Sequence, residues 1–168
     1  MESFKEKLIA WFDTTGRMNR AAFVKRFFGV NLACMAGVLM LGSRLLEATG
    51  SVTASNLVSG ALAALAAVCL YPPMVRRLHD LGRDARFARA YLCFGIPQGF
   101  LLGTVAALPQ GSLGLYAFDA ALAAVTLLFI VLIFHAGEPR RNVYGAVPGR
   151  AAAPREERKR LGRKARSI

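Results

Sequence analysis

His79 and Asp80 stand side by side in the run Arg76-Arg77-Leu78-His79-Asp80-Leu81-Gly82-Arg83. A carboxylate that orients an imidazole is the pairing a general base requires. Neighbours on a helix point about 100° apart, so these two do not naturally bond to each other. The simpler expectation is that Arg76, Arg77 and His79 close a helix at its C-terminal end, where the dipole favours cations. Asp80 then caps the next turn or pairs with Arg17, Arg20 or Arg83. Arg17 and Arg20, three residues apart, could present one basic face to a phosphate, though setting topology and snorkelling to headgroups explains them more simply. Asn142, Tyr144 and Gly145 read as a turn, with Gly145 free to take positive φ.

The other ingredients of catalysis are missing from the sequence. There is no phosphate-cradling glycine loop and no nucleophile–base pattern, and two histidines do not make a metal cluster. No enzyme activity and no cofactor or metal is expected. Cys34, Cys69 and Cys93 lie in apolar stretches without CxxC spacing, which fits buried thiols rather than disulfides or zinc ligands.

The elements that position these residues follow from where charge is absent. The chain has 168 residues, 22 Lys plus Arg against 10 Asp plus Glu, a net charge of +12 and 55% hydrophobic residues. Residues 27–43, 48–75, 90–118 and 120–137 contain no Asp, Glu, Lys or Arg. A helix crosses about 30 Å of hydrocarbon with roughly 20 apolar residues. The expectation is an all-α integral membrane protein, a four-helix bundle with spans at about 27–46, 55–75, 90–108 and 115–135. That excludes an ordinary soluble enzyme. Asn19 is the expected N-cap of the first helix, and Pro72-Pro73 predicts a kink or exit near Tyr71.

Residues 1–26 hold six Lys and Arg, residues 76–89 five, and residues 135–168 ten, so Arg44 alone falls elsewhere. Positive-inside bias therefore puts both termini and the central loop in the cytoplasm. The first apolar run starts near Phe27, too far in for a cleavable signal peptide. Phe4, Leu8, Trp11 and Phe12 recur at helical spacing, which predicts a short amphipathic helix in the interface with Trp11 as its anchor. A membrane domain over 1–148 is followed by a basic, disordered cytoplasmic tail over 149–168, drawn to anionic headgroups at about 1 kcal/mol per basic residue. Nothing else in the chain supports nucleic-acid binding.

Asp119 is the one acidic residue inside an expected span, a functional candidate by default. Its position about one turn from the outer end allows an ion pair with Arg44. Ser59, Ala63 and Ala67 recur every fourth position, as do Gly60 and Ala64, a spacing that lets helices pack closely.

Three clusters, beginning at Gly16, Arg76 and Gly137, lie at helix ends on the same expected side. They carry the motifs Gly-Arg-x-x-Arg-x-x-Phe, Arg-Arg-Leu-His-Asp-x-Gly-Arg and Asn-x-Tyr-Gly. On these the chain resembles the Domain of Unknown Function 805 (DUF805) family of small bacterial inner-membrane proteins, over roughly residues 8–146. It departs from the family pattern at Ala22, Val24 and Asp84-Ala85-Arg86-Phe87. The resemblance implies a polytopic inner-membrane protein and no assigned reaction. The residues themselves favour an interaction or scaffold protein, its basic cytoplasmic face built from Arg17, Arg20, Arg76, Arg77, His79, Asp80, Arg83, Asn142 and Tyr144. Its expected partners are anionic lipid headgroups, another membrane protein or further copies of itself. The alternative is a transporter or channel subunit active as an oligomer.

Overall fold

In the computed structural model, which describes residues 3–105 and 110–149, the regular elements are all helical. The first, α1 (Phe4–Phe12), starts where the Glu6 side chain accepts the Ser3 N–H at 2.9 Å. Phe4, Leu8, Ile9 and Phe12 are exposed on it. The next helix, α2 (Arg20–Gly37), begins at the expected cap, with the Asn19 side chain accepting the Ala22 N–H at 2.8 Å. A π turn over Val38–Gly42 carries it into α3 (Ser43–Thr49). One helical rod thus runs from 20 to 49, outreaching the expected 27–46. Gly50 ends it in the left-handed region at φ 63°, its N–H bonded to the Leu46 carbonyl at 2.8 Å.

The central helix is α4 (Val52–Asp80), with Ser51 as its N-cap. Of the kink or exit expected near Tyr71, the exit does not occur: the helix runs through Pro72 and Pro73, both buried, to Asp80. A proline inside a helix has no N–H to give to the carbonyl four residues earlier. Pro73 therefore frees the Cys69 carbonyl, and the Trp11 indole Nε1–H donates to that oxygen at 3.1 Å. The residue expected as the interfacial anchor satisfies a backbone group that the proline exposes.

Helix α5 (Arg86–Val105) returns antiparallel along α4. The small residues of both helices make the approach possible. A Cβ on Gly60 would stand 3.0 Å from the Phe100 Cα, and one on Gly99 would stand 2.8 Å from the Ala63 Cβ. Gly95 faces Ala67 and Tyr91 in the same seam. On another side of α4, the Ser55 hydroxyl donates to the Gly42 carbonyl at 3.0 Å. The last helix is α6 (Leu113–Phe134), capped by Ser112.

Three helical stretches among the described residues are long and apolar enough to cross a membrane: 20–49, 52–80 and 113–134. Four were expected. The third, at 90–108, falls on α5, whose hydropathy is diluted by Arg86, Arg89, Pro97, Gln98 and three glycines. In α4, 39% of the apolar window is buried inside the protein, against 6% in each of the other two. Leu32, Met35, Leu39, Leu127 and Phe134 are among the large apolar side chains left exposed. A surface of that kind belongs in hydrocarbon, not in water. The buried residues gather toward one end, where Phe23, Met74, Val75, Leu78 and Leu132 pack together. Residues 150–168, nearly all of the expected tail, lie outside the described residues.

Candidate functional site

That packed end is where the three sequence clusters meet. The end of α4 supplies Arg77 and Asp80, and Gly82 stops the helix. Gly82 sits at φ 68° with its N–H on the His79 carbonyl (3.2 Å), while the Arg83 N–H reaches the Leu78 carbonyl (2.9 Å). Those two bonds define a Schellman cap and explain the glycine of the central motif. Gly16, also at positive φ, turns the segment before α2 so that Arg17 enters the interior. Met18 N–H then bonds to the Arg76 carbonyl at 3.0 Å.

Arg17, Arg77 and Asp80 are 7%, 0% and 3% exposed, so their charges have to be satisfied inside the protein. Asp80 Oδ1 accepts from Arg17 Nη2 at 2.8 Å and from Arg17 Nε at 3.0 Å. Its Oδ2 accepts from Arg77 Nη1. One carboxylate cannot neutralise two guanidinium groups, and backbone oxygens take up the rest. Arg77 Nε donates to the Leu132 carbonyl at 2.9 Å, and Arg77 Nη2 to that of His135. Arg17 donates to the Glu138 carbonyl at 2.6 Å and the Arg140 carbonyl at 2.7 Å. The Leu132 and His135 oxygens belong to the C-terminal end of α6, where carbonyls lack helical partners and the dipole is negative. The knot therefore ties the segment before α2, the end of α4 and the end of α6 to one another.

The third cluster closes over it. Glu138 N–H donates to the Asp80 carbonyl at 2.8 Å. Asn142 Nδ2 donates to the His79 carbonyl and to Glu138 Oε2, each at 2.8 Å. The Tyr144 ring stacks on the His79 imidazole, with centroids 3.9 Å apart and planes 5° apart. His79 Nδ1 lies 3.0 Å from the Gly16 carbonyl. A carbonyl only accepts, so Nδ1 is the protonated nitrogen. His79 and Asp80 thus bond to different partners, and the arrangement is not a base–orienter pair.

Two contacts had no counterpart in the reading of the sequence. A Cβ on Gly137 would collide with the Asp80 carboxylate, and one on Gly82 would collide with the Glu138 carboxylate. No local signal marks either contact, because each glycine's partner lies more than fifty residues away in sequence.

The remaining basic residues stay outside the knot. Arg20 and Arg83 are exposed, and Arg76 is half-buried. None of the three forms an ion pair among the described residues. Arg76 Nε and Arg26 Nη1 are buried without a hydrogen-bond partner among them, while the Arg26 guanidinium lies 4.9 Å from the Trp11 ring centroid. In the α4–α5 turn, Asp84 is held below the usual carboxylate range, chiefly by the Arg86 N–H and also by the Arg86 guanidinium, whose Nε lies 2.6 Å away. Asp119 is exposed on α6 and far from the knot in sequence. The Arg44–Asp119 pair expected for it is not among the ion pairs of the described residues. No group of three or more potential metal ligands occurs among the described residues.

Compared with known proteins, residues 11–146 match the model of a family described as a protein of unknown function, DUF805. No curated protein matches the chain, and no solved structure does. The matched residues take in Arg17, the His79-Asp80 turn and the Asn142–Gly145 closure, which together build the buried knot. The chain belongs to the DUF805 family.

Proposed function

We propose that this protein is a non-enzymatic interaction or scaffold protein of the bacterial inner membrane, with a basic cytoplasmic face that binds anionic lipid or a partner membrane protein. In this reading α5 is a fourth crossing, both termini are cytoplasmic, and α1 lies in the interface. One observation carries it: the buried Asp80 carboxylate is consumed by Arg17 and Arg77, while Arg20, Arg76 and Arg83 around it have no carboxylate partner among the described residues. Arg20 and Arg83 are exposed, so their N–H groups are open to oxygens from outside the chain. Phosphate esters at the headgroup level supply such oxygens, and so does an acidic partner surface.

The test is native mass spectrometry of the protein released gently from its own membranes. The expected result is retained anionic lipid, a defined co-purifying protein or a defined oligomer. A bare monomer without lipid overturns the reading. A second reading, a transporter or channel subunit active as an oligomer, is favoured by Asp119, an acidic residue exposed on the most apolar helix. It predicts flux in proteoliposomes that Asp119→Asn abolishes.

A further inference from the structure

A groove of about 580 Å³ lies beside the α4–α5 turn, lined by Arg83, Asp84, Arg86 and Tyr144 and floored by Phe87 and Ala90. A second cleft of about 520 Å³ runs between α5 and α6 and shares Phe87 and Ala90 with the first. Its other lining residues carry no charge, and the small side chains of Ala121 and Ala124 keep its α6 wall open. We propose that the two together form a single seat for one anionic glycerophospholipid, with its phosphate on Arg83 and Arg86 and an acyl chain in the α5–α6 cleft.

The dimensions and the charges both select that occupant. The cleft follows α6 from Val131 to Ala121. At 1.5 Å per residue that is about 15 Å, half of a 30 Å hydrocarbon core and so the depth of one leaflet. Its shallow end, at Val131 and Leu78, adjoins the knot, and the basic groove opens at that same end. A positive mouth over an apolar trough one leaflet deep matches an acidic headgroup joined to an acyl chain. Asp84 subtracts one charge and forms an exposed ion pair with Arg86 Nε at 2.6 Å. Arg83 has no ion pair among the described residues, so the mouth keeps net positive charge.

This inference rests on the basic-face reading and names the lipid and its place. The test is titration of the purified full chain in detergent with phosphatidylglycerol or phosphatidylcholine, read by native mass spectrometry. The seat predicts one preferentially retained phosphatidylglycerol. Arg83→Gln with Arg86→Gln should weaken its retention on the order of tenfold. Ala124→Phe, which fills the trough and leaves the mouth intact, should do the same. Arg44→Gln, exposed on α3 and outside the basic face, should leave retention unchanged. Helicity by circular dichroism checks each variant, and mouth and trough are altered separately so that misfolding of one still leaves the other informative. Equal retention of the two lipids overturns the seat. So does a dimer in place of a lipid adduct, since a second copy then fills the cleft. Phosphatidylglycerol retention that depends on Arg20 and Arg76 alone overturns the seat while leaving the basic-face reading standing.

Discussion

Arg17 reaches Asp80 across 63 residues of sequence and places both Nη2 and Nε on a single carboxylate oxygen, at 2.8 and 3.0 Å. That geometry leaves Oδ2 for Arg77, so one buried carboxylate holds two guanidinium groups. A buried pair is weak evidence of stability in itself, because desolvation offsets the Coulombic attraction. Breaking it is another matter. Asp80→Asn leaves both arginines buried with carbonyl oxygens as their main acceptors, and the expected loss is about 3–5 kcal/mol. Unfolding in detergent measures it, and a loss within experimental error would show that the knot is not structural.

Arg17→Lys separates charge from shape. A lysine keeps the charge but cannot reach Asp80, Glu138 and Arg140 together, as the planar guanidinium does. Its unfolding midpoint should fall below that of the native chain and stay above that of Arg17→Ala. A lysine variant equal to the native chain would reduce the site to charge alone.

Gly137 lies against the Asp80 carboxylate, with no space for a side chain. Since Asp80 is fixed by two arginines, it cannot easily retreat. Gly137→Ala should cost about 1–3 kcal/mol as an overpacking change. Gly29 is a matched control, being helical with no heavy atom within 4 Å of the position a Cβ would take. Gly29→Ala should be neutral or slightly stabilising, because glycine weakens a helix relative to alanine. Equal effects at the two positions would remove the steric argument.

Trp11 and Pro73 are coupled through the Cys69 carbonyl. Trp11→Phe keeps the aromatic packing and loses the donor, for an expected cost of about 1 kcal/mol. In a Pro73→Ala background the helix supplies its own N–H to Cys69, so the same Trp11 substitution should cost clearly less. A double-mutant cycle of unfolding free energies reads the difference. Additive effects would mean that the indole bond does not compensate for the proline.

The meeting of the three clusters was legible in the sequence because each sits at a helix end on the strongly basic side, and Asp80 could be given a short list of arginines that included Arg17. The second partner was hidden. Arg77 at a helix C-terminus reads as a cation that complements the dipole, and nothing local shows that it turns inward to Leu132 and His135. The passage of α4 through Pro72-Pro73 was hidden for a similar reason, since the donor that rescues it lies 58 residues away. Gly137 was invisible because its role depends on a carboxylate more than fifty residues earlier. Local rules found the elements and their ends; the long-range pairs that lock those ends emerge only in three dimensions.

The knot also bears on topology. Arg17 precedes α2, Asp80 ends α4, and Arg140 follows α6, yet the Arg17 guanidinium touches the last two at once. The chain between Asp80 and Arg140 must therefore leave that end and return to it. In the proposed four-crossing reading α6 supplies one crossing and α5 the other, despite Arg86, Pro97 and Gln98. It can do so because its glycines seat it against α4, where part of its surface meets protein rather than lipid. Together with the Lys and Arg distribution, this predicts fluorescent-protein fusions that are active at both termini and an alkaline phosphatase insertion that is active at Gly111. An inactive phosphatase at Gly111, paired with an externally exposed C-terminus, would mean that α5 does not cross. The Arg17–Arg140 bond could not then form within one membrane-embedded chain.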